Sequence, residues 1–176
     1  MIQPFFSIVI PAYNAEKFMT ECLDSIFKQT FKDYEVLIVD NGSIDNTSKI
    51  SESILNGKNI NYRVLRTEKN LGIGGGRNMG IKAAQGKYVA FLDADDIWYP
   101  KKLELVHDAL IKNDDIGLIC HDENLVMMGP TAKVIGKMTC GTKADNMFEY
   151  LLFEKNCILD FKRSLKFLLR NNFKPW

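Results

Sequence analysis

The chain has 176 residues, of which 46% are hydrophobic and 26% charged, with 23 lysine and arginine residues against 22 aspartate and glutamate residues. This length fits one globular domain, or one with a short extension, and the composition excludes a disordered, collagen-like or multiply membrane-spanning chain. The near-neutral total predicts no nucleic-acid partner. Five bases and no acid lie in residues 161–176, which leaves 18 bases against 22 acids in residues 1–160.

The cysteines and the first residues predict a cytoplasmic location. Four cysteines are present, widely spaced and without a Cys-x-x-Cys pair, a pattern typical of reduced thiols in a chain that has its own core. The N-terminal residues lack a positively charged signal-peptide start, and no stretch approaches the roughly 20 apolar residues of a spanning helix.

Short apolar runs alternate with helical periodicity along the first two thirds of the chain. Strands are predicted at 7–10, 35–39, 62–65 and 87–92. Helices are predicted from Phe18 to Phe27, after a cap at Ser43 or Asp45, from Arg77 to Ala84, and from Pro100 onward. Four repeats of strand and helix predict an α/β fold with a mainly parallel central sheet and flanking helices in three Rossmann-like layers.

The rhythm weakens after about residue 120. Residues 127–130 are interpreted as a turn, 133–138 as a strand and 144–154 as a helix. In the tail, apolar residues follow a helical spacing with the five cations on other faces, which predicts a basic amphipathic helix over 161–176.

Ligands on parallel sheets bind at the carboxyl ends of the strands, so the residues that follow each strand are the candidates for a site. Tyr13 after strand one could stack on a planar base or simply pack. Asp40 and Asn41 after strand two could hydrogen-bond to a base or ribose, with a turn role as the alternative for Asp40. The third crossover contributes a glycine-rich stretch before Arg77.

Three carboxylates follow strand four, in Asp93-Ala94-Asp95-Asp96. Such a cluster is self-repelling unless a cation or hydrogen bonds compensate, and its oxygen ligands suit Mn²⁺ or Mg²⁺. One of the three, Asp96, is also expected to cap the helix that begins near Pro100.

The glycine-rich stretch, residues 72–76, has two interpretations. It could bring backbone amides close to a phosphate beside Arg77, or it could be a flexible connector. A dinucleotide-binding enzyme is disfavoured, because the Gly-x-Gly-x-x-Gly spacing fails and the first strand-to-helix turn contains no glycine.

Five motifs, all within about the first 105 residues, together resemble the family 2 glycosyltransferases. They are SIVIPAYN (7–14), SIFKQTF (25–31), EVLIVDNGSIDNT (35–47), NLG with GRN (70–72 and 76–78) and GKYVAFLDADD (86–96). The resemblance implies a GT-A fold and inverting, metal-dependent transfer from a nucleotide-diphospho-sugar, with a UDP-sugar expected, to a glycan or lipid-linked acceptor hydroxyl. The context it implies is bacterial surface polysaccharide synthesis.

The resemblance also implies roles for individual residues. Pro11, Ala12 and Tyr13 would line the base pocket, Asp40 and Asn41 would meet the base, and Arg77 would lie near the nucleotide. Asp93 would reach the ribose, and the segment Asp93-Ala94-Asp95 would bind the nucleotide-sugar, with Asp95 and Asp93 as the metal ligands. Many members carry aspartate where this chain has Asn41, which puts the choice of nucleotide in question.

The resemblance divides the chain into a donor-binding region (1–120), a partial acceptor-side region (121–160) and the basic tail (161–176), so the fold is expected to be C-terminally short. No catalytic base is identified. His121-Asp122-Glu123 is the nearest acidic group, with a solvated turn as the alternative. A member that binds nucleotide without transfer is therefore a second hypothesis. A sugar nucleotidyltransferase is a third, although its phosphate loop after strand one is missing.

The tail has two open interpretations. A basic amphipathic helix could lie on the inner face of the membrane, near a lipid-linked acceptor. It could equally pack on its own domain or form a homodimer.

Overall fold

The computed structural model of the protein describes residues 3–112, 119, 121, 123–127, 133–138 and 168–170. The chain forms two compact units. The first consists of Met1–Ile119 with Phe167–Trp176, and the second is Cys120–Lys166. The candidate site residues after the first four strands all belong to the first unit.

Four parallel strands form the centre of the first unit. They are β1 (Phe6–Ala12), β2 (Tyr34–Asp40), β3 (Asn61–Arg66) and β4 (Tyr88–Phe91). Their spatial order is β3-β2-β1-β4. The chain adds β2 and β3 on one side of β1 and then returns to add β4 on the other side, so the strand order reverses between β1 and β4. These strands confirm the predicted parallel sheet, each within one or two residues of its predicted bounds.

Four helices cover the two faces of this sheet, α1 (Met19–Phe27), α2 (Thr47–Leu55), α3 (Gly72–Ala83) and α4 (Lys102–Lys112). One apolar cluster joins alternate residues of β1, including Ile8 and Ile10, to residues of α1, α2 and α4. A second cluster joins Val9 of β1 to Met79 and Ile81 of α3. The fold therefore has the three layers predicted, and β1, β2 and β4 are buried on both faces, as continuous apolar runs require, whereas β3 is only partly buried.

The amino end of the sheet is held by a buried carboxylate. Glu35 is fully buried, and its Oε2 lies 2.8 Å from the Arg63 guanidinium. Its Oε1 accepts hydrogen bonds from the Ser7 hydroxyl and the Gln85 backbone N–H, both at 2.6 Å. Removing one partner would leave a buried charge uncompensated, which is strongly destabilising. This network joins β1, β2, β3 and the α3–β4 connection.

The second unit contains an antiparallel pair, β5 (Glu123–Met127) and β6 (Lys133–Met138), with an irregularity in register between Leu125 and Val126. β6 confirms the predicted strand, and β5 begins at Glu123, where the family resemblance implies a fifth strand or its edge. The predicted helix over 144–154 lies outside the described residues.

One more short strand, β7 (Leu168–Arg170), pairs antiparallel with β4 in the first unit. The helix predicted over 161–176 is therefore wrong for these three residues. Apolar spacing in a short segment does not distinguish a helix from a strand, and backbone groups along the edge of β4 gain partners from an extended chain. The rest of the tail lies outside the described residues. Within the described part of the chain, no helix is long and apolar enough to cross a membrane.

Helix α3 begins earlier than predicted. The predicted helix started at Arg77, whereas α3 starts at Gly72 and includes the glycine-rich stretch. Glycines of this helix pack closely against residues of β1. A Cβ at Gly80 would lie 2.2 Å from Val9 Cγ1, and one at Gly76 would lie 3.5 Å from Pro11 Cβ. Glycine here lets a helix approach the sheet closely, so neither a loop nor a flexible connector describes this segment.

We predict that Gly80→Ala lowers the free energy of unfolding by about 1–3 kcal/mol, because the added methyl group overpacks against the fully buried Val9. Urea unfolding followed by circular dichroism measures the change. Gly74→Ala in the same helix is the matched control: no atom lies within 4 Å of its added Cβ, and alanine should stabilise the helix by up to about 1 kcal/mol. An unfolding midpoint for Gly80→Ala at or above that of the wild type would contradict this packing.

Candidate functional site

The carboxyl ends of the parallel strands meet at one edge of the sheet, which we call the carboxyl edge. The backbone N–H of Asn41 donates to the carbonyl of Ala12 at 2.8 Å, and Thr67 N–H donates to the carbonyl of Asp40 at 3.0 Å. On the other side, Leu92 N–H donates to the carbonyl of Val9 at 3.1 Å. The predicted strand ends therefore converge, and the reversal between β1 and β4 creates the crevice in which α/β sheets bind ligands.

Tyr13 lies at this edge with 49% of its surface exposed, directly after the buried Ala12 and the half-buried Pro11. The next residue, Asn14, has a φ of +50°, a left-handed conformation in which asparagine is favoured. Asn14 N–H donates to Ser43 Oγ at 3.0 Å, and Asn14 Oδ1 accepts from Ile44 N–H at 3.0 Å. These bonds fix the backbone next to Tyr13. Because the Tyr13 side chain is half exposed, its ring is available to a ligand.

The loops after β1 and β2 are joined by reciprocal hydrogen bonds. Glu16 N–H donates to Asp45 Oδ2 at 3.1 Å, and Asn46 N–H donates to Glu16 Oε2 at 2.9 Å. Ala15 N–H donates to Thr47 Oγ1 at 2.8 Å. We call this set of bonds the loop clasp.

The loop clasp also shifts the ionisation of Asp45. Partial burial raises the pKa of this carboxyl, but hydrogen bonds from the Thr47 hydroxyl and from the backbone N–H groups of Glu16 and Thr47 lower the pKa by more. The folded pKa is therefore below its ordinary value. The ionised group contributes stability above the unfolded pKa, and this contribution is lost as the pH falls through the folded pKa.

Asp40 is only 1% exposed, and its carboxylate is engaged by the protein. Oδ1 accepts from Ser43 N–H at 2.8 Å, Oδ2 accepts from the Ser48 hydroxyl, and Arg66 Nε lies 3.8 Å from Oδ2. These bonds shape the turn after β2, which is the alternative that the sequence left open for Asp40. Its contact with a base stays a prediction.

Asn41 is 4% exposed and joins the end of β2 to the start of α3. Its Nδ2 donates to Asn70 Oδ1 at 3.1 Å and to the Gly72 carbonyl at 2.9 Å. Its Oδ1 accepts from Leu71 N–H at 3.0 Å and lies 3.4 Å from the Thr67 hydroxyl, which donates to the Lys69 carbonyl at 2.8 Å. The base contact of Asn41 also stays a prediction, since these partners already use both hydrogens and the oxygen of the amide.

Arg77 and Asp93 form an ion pair across the crevice. Arg77 Nη2 lies 3.0 Å from Asp93 Oδ1 and 3.3 Å from Oδ2. Their side chains are 19% and 34% exposed, respectively, and the guanidinium carbon lies 5.6 Å from the centre of the Phe91 ring. Arg77 Nε is buried and has no hydrogen-bond partner among the described residues. The pair places a positive group from α3 beside a carboxylate at the end of β4.

Asp95 is exposed, whereas Ala94 before it is buried, with 6% exposure. No described residue hydrogen-bonds to the Asp95 carboxylate. Asp96 N–H closes a turn onto the carbonyl of Asp93 at 3.0 Å. The capping role predicted for Asp96 is wrong, because α4 begins only at Lys102. Among the described residues, no group of three or more His, Cys, Asp and Glu side chains forms a metal site by itself.

The structure thus brings Tyr13, Arg77, Asp93 and Asp95 to the carboxyl edge as accessible or partly accessible side chains. Asp40 and Asn41 are buried at the end of β2. Sequence reasoning missed the roles of Asn14 and Asn70. A signal existed in the residue type, because asparagine side chains in turns commonly hydrogen-bond to nearby backbone, as Asn70 Oδ1 does with Gly72 N–H. His121 is half-buried and belongs to the second unit. Asp122 lies outside the described residues.

Comparison of the sequence with known proteins identifies bacterial glycosyltransferases among its relatives. The glycosyltransferase GlyG of Streptococcus pneumoniae is 36% identical over 108 residues, which cover 61% of this chain and 36% of GlyG. A second relative, from Escherichia coli, is the UDP-Glc:alpha-D-GlcNAc-diphosphoundecaprenol beta-1,3-glucosyltransferase WfgD. It is 38% identical over 108 residues, which cover 61% of this chain and 42% of WfgD. The chain thus spans well under half the length of these relatives.

Solved structures share the fold. The structure of residues 1–349 of Staphylococcus aureus TarS in complex with UDP-GlcNAc has a TM-score of 0.64 at 28% identity, over 94% of this chain and 45% of that one. The complex of the same TarS fragment with UDP has a TM-score of 0.58 at 37% identity, over 62% of this chain and 32% of that one. The profile of the family described as Glycosyl transferase family 2 matches residues 7–136. The match covers most of the chain and every candidate residue at the carboxyl edge, and the chain belongs to this family.

Proposed function

We propose that this chain binds a UDP-sugar at the carboxyl edge and transfers the sugar to an acceptor hydroxyl with inversion at the anomeric carbon. The observation that carries the proposal is the ion pair of Arg77 with Asp93 beside the exposed Asp95 carboxylate, in the crevice at the reversal of strand order. TarS, a structural neighbour, was solved with UDP and with UDP-GlcNAc, which supports a uridine nucleotide.

Each accessible side chain has a distinct task in this proposal. The half-exposed Tyr13 ring stacks on the base, since every base presents a flat π-face to an aromatic side chain. Asp93 accepts hydrogen bonds from the ribose hydroxyls while Arg77 holds its carboxylate in place. Arg77 also brings positive charge toward the diphosphate, on which negative charge develops as the sugar leaves.

Asp95 is the residue that fits a divalent cation. Mn²⁺ and Mg²⁺ usually bind one or two protein carboxylates and complete their coordination with water and substrate phosphates, so a single exposed carboxylate suffices. Asp93 fits less well, because its oxygens are already shared with Arg77. When bound, the cation supplies Lewis-acid stabilisation of the leaving diphosphate.

The transfer itself needs one bond formed and one broken. The acceptor oxygen attacks the anomeric carbon from the face opposite the diphosphate, the bond from that carbon to the phosphate oxygen breaks, and the acceptor proton passes to a base. The relative WfgD is named for a diphosphoundecaprenol-linked acceptor. We therefore propose a glycan or lipid-linked acceptor, with a place in bacterial surface polysaccharide synthesis. The membrane and homodimer alternatives for residues 161–176 remain proposals beside it.

A second candidate function is nucleotide binding without transfer. It is favoured by the state of three carboxylates at the carboxyl edge. Asp40 is fully engaged by the protein, Asp93 is paired with Arg77, and Asp95 is assigned to the donor. No carboxylate of this set is left for the acceptor proton. Clear UDP binding combined with sugar release from UDP-GlcNAc at only the uncatalysed rate, with or without acceptors, would favour this candidate.

We predict that UDP and Mn²⁺ together raise the melting temperature more than either alone, and that Asp95→Ala removes the metal-dependent part of this increase. At one hundred times its Kd, a ligand stabilises the folded state by about 2.7 kcal/mol, a shift that differential scanning fluorimetry detects. Asp33→Ala is the matched control, because Asp33 is also exposed but precedes the amino end of β2. If the metal-dependent shift survives in Asp95→Ala, the assignment of Asp95 to the metal is wrong.

We predict that Tyr13→Ala weakens UDP binding by about 1–3 kcal/mol, or roughly 5- to 150-fold in Kd, because base stacking is lost. Tyr13→Phe keeps a stacking face and should bind UDP with nearly the wild-type Kd. Isothermal titration calorimetry measures all three proteins. Since Tyr13 is half exposed, both variants should unfold near the wild-type midpoint. Equal affinities for the alanine variant and the wild type would rule out stacking on this ring.

A further inference from the structure

We propose that Gln29 is a positioning residue, whose buried amide fastens the loop that carries Asp95 to the end of α1 and thereby sets the position of the proposed cation ligand. Gln29 belongs to the motif SIFKQTF (25–31), none of whose residues has a task in the proposed function. The inference rests on that function, because the cation-dependent part of UDP binding is the property that it affects.

The loop between β4 and α4, residues 92–101, has no regular secondary structure of its own, and it carries Asp93 and Asp95. Its beginning is held to the neighbouring elements by the backbone hydrogen bond of Leu92 to β1 and by the ion pair of Asp93 with Arg77. Asp95 follows with an exposed side chain. Its position therefore depends also on how the rest of the loop is held.

The second half of the loop is fastened by Gln29, which lies two residues after the end of α1 and is 1% exposed. Its Nε2 donates to the Tyr99 carbonyl at 2.9 Å and to the Ser25 carbonyl at 3.1 Å. Its Oε1 accepts from Leu103 N–H at 3.0 Å. Carbonyls can only accept and a backbone N–H can only donate, so these partners fix the orientation of the amide and use both its hydrogens and its oxygen.

The bond to Leu103 also caps α4. Leu103 is the second residue of this helix, and the N–H groups of a first helical turn have no partner within the helix. Gln29 thus supplies, from the end of α1, the kind of acceptor that the sequence pattern assigned to Asp96. One buried side chain therefore holds both the end of the loop and the beginning of the helix that follows it.

Two neighbours of Gln29 hold the same part of the loop. The Ser25 hydroxyl, which donates within α1, accepts from Trp98 N–H at 3.2 Å. The backbone N–H of Thr30 donates to the Pro100 carbonyl at 2.9 Å. Three successive loop residues are therefore bonded to the end of α1, and two of these bonds use side chains that are almost fully buried.

Asp95 lies between two fixed points, two residues after Asp93 and three before Trp98. Because a chain spans at most about 3.6 Å per residue, fixed points this close confine the carboxylate to a small region. A loop that must be ordered on binding weakens that binding. If the second point is released, Asp95 moves away from the place of the cation, whereas Asp93 stays paired with Arg77. The loss should therefore fall on the cation and not on the base or the ribose.

The test measures the Kd of the full chain for UDP by isothermal titration calorimetry with and without Mn²⁺. We call the ratio of the two values the Mn²⁺ enhancement. In Gln29→Met, a side chain of similar length fills the site but makes none of the three hydrogen bonds. The Mn²⁺ enhancement should fall about fivefold or more, since groups that orient metal ligands contribute strongly to metal affinity. The Kd without metal should stay within about twofold of the wild type.

Ser25→Ala is the second variant, because it removes the acceptor of Trp98 N–H and keeps a good helix former in α1. Its Mn²⁺ enhancement should fall about threefold. Tyr34→Phe is the matched control. The buried Tyr34 hydroxyl donates to the Ile26 carbonyl of α1 at 3.1 Å, so this variant loses a hydrogen bond to the same helix that does not involve the loop. Its Mn²⁺ enhancement should stay within about 1.5-fold of the wild type.

Hydrogen exchange followed by NMR, without metal or UDP, separates the bonds from their consequence. The Leu103 amide should exchange about tenfold or more faster in Gln29→Met than in the wild type, because its acceptor is gone, and at the wild-type rate in Tyr34→Phe. Faster exchange combined with a wild-type Mn²⁺ enhancement would mean that Gln29 stabilises the loop without positioning Asp95, and it would overturn the inference.

The remaining outcomes distinguish this inference from the proposed function. Equal falls in Mn²⁺ enhancement for Gln29→Met and Tyr34→Phe, or equal weakening of both Kd values in Gln29→Met, would overturn the positioning role while the proposed function stands. If Gln29→Met does not fold, the comparison of Ser25→Ala with Tyr34→Phe decides the question. If the wild type binds UDP without Mn²⁺ enhancement, the cation role of Asp95 is wrong and this inference is wrong with it. If the wild type does not bind UDP, the proposed function itself fails.

Discussion

The structure of the candidate site depends on one kind of interaction, the hydrogen bond from a short polar side chain to the backbone of a neighbouring loop. Asn14 binds the backbone after β2, Asn41 binds the backbone before α3, and Asp45 binds the backbone after β1. Loops at the end of a parallel sheet have many unpaired N–H and C=O groups, and burying them unpaired would be costly. These side chains satisfy them, and in doing so they fix the positions of the residues that we propose bind the donor.

The carboxylates of the first unit divide according to how much of their hydrogen-bonding capacity the protein uses. Glu35 and Asp40 are buried and engaged by internal partners, so they serve the fold. Asp93 shares its oxygens with Arg77 and is one third exposed. Asp95 is exposed. In the proposed function, the carboxylates that the fold leaves most accessible bind the donor and its cation.

The sequence was sufficient to predict the parallel sheet and the convergence of its strand ends, because apolar runs of strand length and their helical connections follow from local patterns. It was not sufficient for α3. Consecutive glycines suggested a loop, whereas the close approach of Gly76 and Gly80 to β1 is a tertiary constraint that no local pattern contains. The same holds for Asn41, whose partners are about 30 residues away, and for β7, whose pairing with β4 overrides a helical spacing.

The most direct test of the central claim, that the carboxyl edge binds the donor nucleotide, is an NMR titration of the ¹⁵N-labelled full chain with UDP and Mg²⁺. The account predicts that the backbone amide signals of residues 13–14, 71–77 and 93–95 shift together with a single Kd. It also predicts that those of 33–35 and 85–87, at the amino end of the sheet, stay in place. Saturable shifts confined to the amino end, or no shifts at millimolar UDP, would contradict the account.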